Sequence, residues 1–384
     1  MTAPVARAVL SRLTCLTRPS GGRPGDGDGR TLRGGPSLRL EPGGRLWLHI
    51  TERLSVLVGV RGLLVGAVLL GCCAVTGVIA LRVGSISYSP EQVLDALAGR
   101  GPRAAQVVVA RWRLPRVLLA LAVGGGLGVA GELFQVVTRN SLGSPDLIGF
   151  TAGAQTGILL SVLVLPAGFL SVSSAALAGG ALVGVVIYVL SLRSGFTGLR
   201  LILVGVAINS MLGSLSRWLL ARADSDSAYG ALKTVTGTLA EAVWSVTAPT
   251  TAAIVVVTGV AVAMSRQMRD LPLGQDLAGA LGTRVRLIQA LLVLIGTVLV
   301  ALATMAAGPV GFIALISPHL ARILTGDPML APLLISGGVG ALLLLSADVV
   351  AQVLLGSLPV GVATGAMGGL YLMILLALEM RRRT

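Results

Sequence analysis

The chain has 384 residues, 54% hydrophobic and only 12% charged, with 30 Lys or Arg against 16 Asp or Glu and a formal net charge of +14. So apolar a composition, with 52 Gly and two His, excludes an ordinary soluble enzyme and gives no nucleic-acid-binding surface. It fits an all-α protein that crosses a membrane several times.

The first fifty residues are a different material: eight Arg among many Gly, Pro and Ser, and no long apolar run. They are expected to form a basic, disordered cytoplasmic tail over 1–53, ahead of a membrane domain over 54–384. An arginine-rich start without an apolar core of roughly 7 to 15 residues makes no cleavable signal. Contact with anionic lipid is one use for such a tail; a solvated tail or a misplaced start codon explains it equally simply. Cys15 lies in the tail and Cys72 and Cys73 are adjacent in the first apolar run, so the cysteines offer neither a disulfide framework nor metal-ligand spacing.

A hydrocarbon core of ~30 Å takes roughly 17 to 25 helical residues to cross. Runs of that kind occupy 62–81, 117–137, 148–166, 171–192, 200–221, 246–265, 287–307, 330–349 and 360–379. Gly308-Pro309 interrupts the long stretch from 287 to 324 and leaves 310–324 as a short tenth span, because broken helices are tolerated where neighbouring protein satisfies the freed backbone groups. About ten spans is the expectation, with nine as the alternative. Basic residues orient the chain. With the N-terminus inside, Arg139, Arg193, Arg200, Arg266, Arg269, Arg284, Arg286, Arg322 and Arg381 to Arg383 are cytoplasmic. An even span count puts both termini on that side. Arg82, Arg100, Arg103, Arg111, Arg113 and Arg116 then cluster outside and need their own explanation.

No catalytic constellation is visible. The single lysine, Lys233, has no glycine-rich loop around it, so the chain holds no P-loop and no nucleotide cofactor of that kind. His319 follows Pro318 on an apolar segment with no carboxylate beside it, and reads as packing. The loop from Gln267 to Arg286 reads as one or two short amphipathic helices at the cytoplasmic face, or as an ordinary connector. In Arg113-Leu-Pro-Arg116 the proline suits a helix start, and the two arginines either snorkel to lipid phosphates or serve a partner. Ionisable groups inside a membrane are costly and mark functional candidates. Glu132 is therefore a candidate for a translocation path, with local hydrogen bonding as its other reading, and Gln135, one turn on, is named with it, while Asp348 suits a structural pairing.

Several stretches together, Leu273 to Gly282, Gly308-Pro-Val-Gly-Phe-Ile-Ala-Leu-Ile-Ser-Pro-His-Leu-Ala-Arg322, Arg113 to Arg116, Arg139 to Gly149 and Leu358-Pro-Val-Gly361, resemble the FecCD family of permeases. These are the membrane subunits of ATP-driven importers for ferric siderophores, haem and vitamin B12. The resemblance runs from about Leu63 to the C-terminus and implies the type II ABC importer permease fold in a bacterial cytoplasmic membrane. It implies separate ATPase subunits that use the ATP, an extracytoplasmic substrate-binding protein, and no cofactor or metal on this chain. Leu273, Gly274, Ala278, Leu281 and Gly282 match the segment that docks on the ATPase. Gln275 and Asp276 replace its usual acidic pair, and Gly279 stands where Arg is common. Arg113 and Arg116 match arginines that meet the binding protein; Gln352 departs from a third. The stretches 143–153 and 346–383 are similar to the second permease of ferric-enterobactin systems, which implies a heterodimer and a ferric siderophore. A homodimeric vitamin B12 or haem permease is the alternative, and an ion-coupled secondary transporter is the alternative of another class.

Overall fold

The computed structural model describes residues 38–41, 45–51, 54–84, 86–164, 169–192, 198–225, 227, 229–231, 236–326, 332–353 and 358–383. Lys233 and Arg193 lie outside them. The chain divides into two units between Val58 and Gly59, five residues beyond the boundary expected from the sequence. In the first unit, β1 (Leu38–Glu41), β2 (Arg45–Thr51) and β3 (Leu54–Gly59) form a sheet in the order β1-β2-β3, where disorder through residue 53 was expected. β1 and β2 are antiparallel, with Leu38 opposite Leu48 and Leu40 opposite Leu46. Leu46, Leu48 and Ile50 alternate with Arg45, Trp47 and His49, a period of two that makes a strand. The Gly- and Arg-rich flanks hide that signal.

The second unit is helical. Its elements are α1 (Val60–Arg82), α2 (Pro90–Leu97), α3 (Arg103–Gln106), a π-helical segment (Val107–Arg113) and α4 (Leu114–Thr138). There follow α5 (Pro145–Ile148), α6 (Phe150–Val164), α7 (Phe169–Leu192), α8 (Gly198–Arg222) and α9 (Trp244–Ala263). After these come α10 (Ser265–Asp270), a 3-10 turn (Leu271–Leu273), α11 (Gln275–Ala280), α12 (Val285–Ala307), α13 (Ile313–Thr325), α14 (Leu333–Val353) and α15 (Val360–Arg383). Among the described residues, six helices are long and apolar enough to cross a membrane: Arg61–Arg82, Arg103–Thr138, Leu203–Arg222, Trp244–Ala263, Val285–Ala307 and Leu333–Val353. Four shorter apolar helices, Phe150–Leu163, Ser174–Ile187, Ile313–Thr325 and Val360–Leu375, fall on the remaining apolar runs.

α4 is the axis of the bundle. Every residue of it from Gly126 to Thr138 is buried, and α14 runs antiparallel along it, with Asp348 beside Arg116 and Ser336 beside Gly128. Small residues let the backbones touch, as helix association in lipid requires. A methyl group on Gly124 would run into the carbonyl of Gly340, one on Gly128 into Ser336, and one on Gly131 into Ala314 of α13. Gly153 and Gly157 of α6 meet Gly179 and Ala175 of α7 in the same way. α9 lies beside α4, with Ile254 against Gly126 and the Thr247 hydroxyl 3.5 Å from the Pro115 carbonyl. α9 therefore starts at the Arg116 end of the bundle and delivers the chain to α10 and α11 at the opposite end.

Candidate functional site

The two arginines of the Arg113–Arg116 motif are both engaged within the chain. Arg113 donates to the carbonyls of Leu81 at 2.8 Å and Ile86 at 2.5 Å, and its guanidinium stands 5.3 Å from the centre of the Tyr88 ring. It thereby closes the link between α1 and α2. Arg116 makes a two-pronged ion pair with Asp348, Nε to Oδ2 at 2.9 Å and Nη2 to Oδ1 at 2.8 Å, and Gln352 donates to the same carboxylate at 2.8 Å. Asp348 is 1% exposed and Arg116 21%. The pairing expected for Asp348 thus takes up one arginine assigned to a partner.

Glu132 and Gln135, the path candidates, sit inside packed protein. Glu132 is 0% exposed and accepts from Arg322 Nη1 at 3.0 Å; Arg322 also donates to the Gln135 amide oxygen, and Gln135 donates to the Leu315 carbonyl at 3.2 Å. The close approach of Gly128 and Gly131 to α14 and α13 encloses this face of α4, so neither side chain faces the cleft described next. Gln135 and Arg322 instead border a small polar pocket of about 230 Å³, together with Arg139, Asn140 and Pro272.

A different constellation borders an open cleft of about 390 Å³, whose polar wall is Asp146, Thr151, Gln155, Asn209 and Thr236. Four interruptions of helix meet there. Gly237 accepts from the amide of Gly361 at 2.9 Å, Thr238 donates to the Ala307 carbonyl at 2.8 Å, and Asp146 accepts from the Phe312 amide at 3.1 Å. Asp146 also takes hydrogen bonds from Thr151 at 2.8 Å and Ser144 at 3.5 Å. Phe312 adopts a left-handed backbone with φ 66°, and its ring lies so close to α15 that Gly368 has no room for a side chain. Irregular backbone at membrane depth is tolerated where it lines a cavity. Sequence reading missed Asp146. The available signal was Ser144 capping Pro145-Asp146, a separate helix start just ahead of the apolar run that begins at 148.

At the opposite end, α10, the 3-10 turn and α11 form a short helical hook. Gly274 (φ 108°) and Gly282 (φ 85°) turn it in a conformation open to glycine, and Thr283 donates to Asp270 at 2.7 Å to close it. Met268, Leu271 and Ala278 are buried underneath, whereas Leu273, Leu277 and Leu281 are 49%, 53% and 61% exposed. The side chains of Gln275 and Asp276 lie outside the described residues. Leu277, absent from the sequence-level candidates, joins Leu273 and Leu281 in one apolar face. Among the described residues no group of three or more His, Cys, Asp or Glu could hold a metal.

A buried axial helix, helix breaks around a cleft and a hooked connector between two spans describe a transport subunit. Residues 72–378 match the model of the FecCD transport family. The chain belongs to that family. It is 39% identical over 330 residues to the ferric enterobactin transport system permease protein FepG of Escherichia coli K12, covering 85% of this chain and all of the relative. It is 32% identical to the iron(3+)-hydroxamate import system permease protein FhuG of Bacillus subtilis 168, covering 82% and 97%. A solved metal-chelate type ABC transporter in an inward-facing conformation superposes with a TM-score of 0.74 at 26% identity, over 82% of this chain and 98% of that one. The fold is that of a type II ABC importer permease, and the chain is a non-catalytic membrane permease.

Proposed function

We propose that this chain is the permease of an ATP-driven importer for ferric siderophores, paired with a second, non-identical permease in a bacterial cytoplasmic membrane. Similarity along the whole of the ferric enterobactin permease supports the substrate class. The observation that carries the coupling is the hook: an apolar face of Leu273, Leu277 and Leu281 stands exposed on a polar connector between two spans, where a soluble partner and not lipid would cover it. ATPase subunits dock there, so the hook end is cytoplasmic and the Arg116 end is outside. Asp146, Gln155 and Asn209 border the path, and an extracytoplasmic binding protein delivers the chelate.

Uptake of radio-iron as ferric enterobactin and as a ferric hydroxamate is the test, in cells lacking this chain and complemented with it. Complementation should restore uptake of one class. The double variant Leu277→Glu with Leu281→Glu should insert normally yet lose uptake by tenfold or more, because two carboxylates in an apolar contact cost several kcal/mol, at about 1.4 kcal/mol per tenfold. The ATPase should no longer copurify. Full uptake by the variant would remove the hook from the coupling reading, and uptake indifferent to the chain's presence would overturn the function.

A further inference from the structure

We infer that the groove between α7 and α12 is a lipid site: it seats one acyl chain of an anionic phospholipid, whose phosphate is met by Arg284 and Arg286 at the hook end. The inference goes beyond the proposed function, since this ligand is not the cargo and the groove is not the cleft.

The groove is apolar and opens sideways. Leu177, Ala181 and Val185 of α7 and Ala290, Leu294 and Ala301 of α12 wall a space of about 380 Å³. The two helices touch where Gly180 meets Ala301 and Gly184 meets Thr297, an antiparallel pairing. Ala181 and Ala290 are too small to fill the space beside that seam. Thr297 is the one polar side chain on the wall, and its hydroxyl donates to the Val293 carbonyl at 2.7 Å. A polar solute would lose its water there without compensation, whereas a hydrocarbon chain loses nothing. Leu182, Val185 and Leu294, 65%, 59% and 58% exposed, carry the groove out to the face of the bundle.

Its depth matches one leaflet. Along α12 the groove runs from Ala290 to Ala301, eleven residues (301 − 290 = 11), which is about 16 Å of helix. Half of a ~30 Å hydrocarbon core is about 15 Å. Arg286 stands four residues before Ala290, about 6 Å nearer the hook, and the spacing 286, 290, 294 puts it on the same helical stripe as the wall. Side chains on a helix lean toward its N-terminus, so this guanidinium sits at headgroup level when a chain lies in the groove.

Charge decides which lipid. A tail that leaves the bilayer for an apolar groove exchanges one hydrocarbon surface for another; the groove therefore positions the chain and the head selects it. Arg284 and Arg286 are exposed, and among the described residues neither guanidinium has a hydrogen-bond or ion-pair partner. Asp270 of the hook accepts from Thr283. The first turn of α12 holds no acidic residue, and its unpaired amides add to the positive end of the helix. Each arginine near the membrane surface favours an anionic lipid about fivefold.

The experiment incubates the delipidated, assembled transporter with an equimolar mixture of phosphatidylglycerol and phosphatidylcholine carrying the same chains, and reads retained lipid by native mass spectrometry. Wild type should retain one phosphatidylglycerol per copy of this chain, at least fivefold over phosphatidylcholine. Arg284→Gln with Arg286→Gln should bring that preference within twofold of none. Ala181→Phe, which fills the groove from an exposed wall position, should cut the retained phosphatidylglycerol fivefold or more, and both variants should elute as the intact assembly. Equal retention of the two lipids by wild type would overturn the assignment, as would retention unchanged in either variant. Loss of the ATPase from the arginine variant, or of the second permease from Ala181→Phe, would overturn it too, by showing that protein covers the site. Uptake is not a readout, so a failure of the transport reading leaves this test intact.

Discussion

Arg116 and Asp348 form the bond whose loss the bundle should feel most at a single position. Asp348 is almost fully enclosed, so removing its cation strands a charge in a low-dielectric interior. Arg116→Ala should lower stability by about 3 kcal/mol, the low end for breaking a buried pair, because Arg116 is partly exposed and Gln352 still donates. Thermal unfolding in detergent would show it as a clear drop in midpoint. Arg116→Gln with Asp348→Asn should recover more than half of the loss, since a neutral hydrogen-bonded pair leaves no charge behind. A double variant no better than the single one would mean that the arginine acts through packing alone. Glu132 and Arg322 pose the same issue at the other end, and here the sequence was silent on the pairing: 190 residues separate them, and nothing local in either segment names the partner.

Among the elements, the glycines sort into those that permit contact and those that do not. Gly128 faces the Ser336 carbonyl with no space for a methyl group, whereas Gly71 on α1 has nothing within 4 Å. Gly128→Val should therefore push α4 from α14 and abolish a stable, monodisperse preparation. Gly71→Ala, also in mid-helix, should leave the preparation unchanged or gain up to about 1 kcal/mol from helix propensity. Comparing elution profiles and melting midpoints of the two variants checks both, and equal behaviour would show that small residues in α4 serve something other than close packing. The apolar runs were legible in the sequence because span length is set by the bilayer; every run found there coincides with a helix. Three features were not. The continuity of α3 through α4 hides behind Arg111, Arg113 and Pro115, which read as a loop before a helix start. The cleft depends on four segments far apart in sequence meeting around Asp146 and Phe312. The arginines looked free because acceptors such as the Leu81 and Ile86 carbonyls carry no sequence signal.

At the scale of the whole molecule, the first unit, up to Val58, lies wholly ahead of the residues that match the transport family. The family match begins at residue 72, and alignment with the ferric enterobactin permease uses all of that relative yet 85% of this chain. Every contact described for the Arg116 end, the cleft and the hook is made by residues after Gly59. Deleting residues 2–58 should therefore leave the helical unit able to insert, to hold its partners and to take up iron at near the wild-type rate, within about twofold. Comparing initial uptake rates at matched membrane expression is the check. A truncated chain that inserts and copurifies with the ATPase but transports tenfold less would show that the basic segment and its small sheet take part in the transport cycle. A chain that fails to insert would assign them to biogenesis instead, and the net charge they bring would be the first property to restore, by grafting Arg residues ahead of Val60.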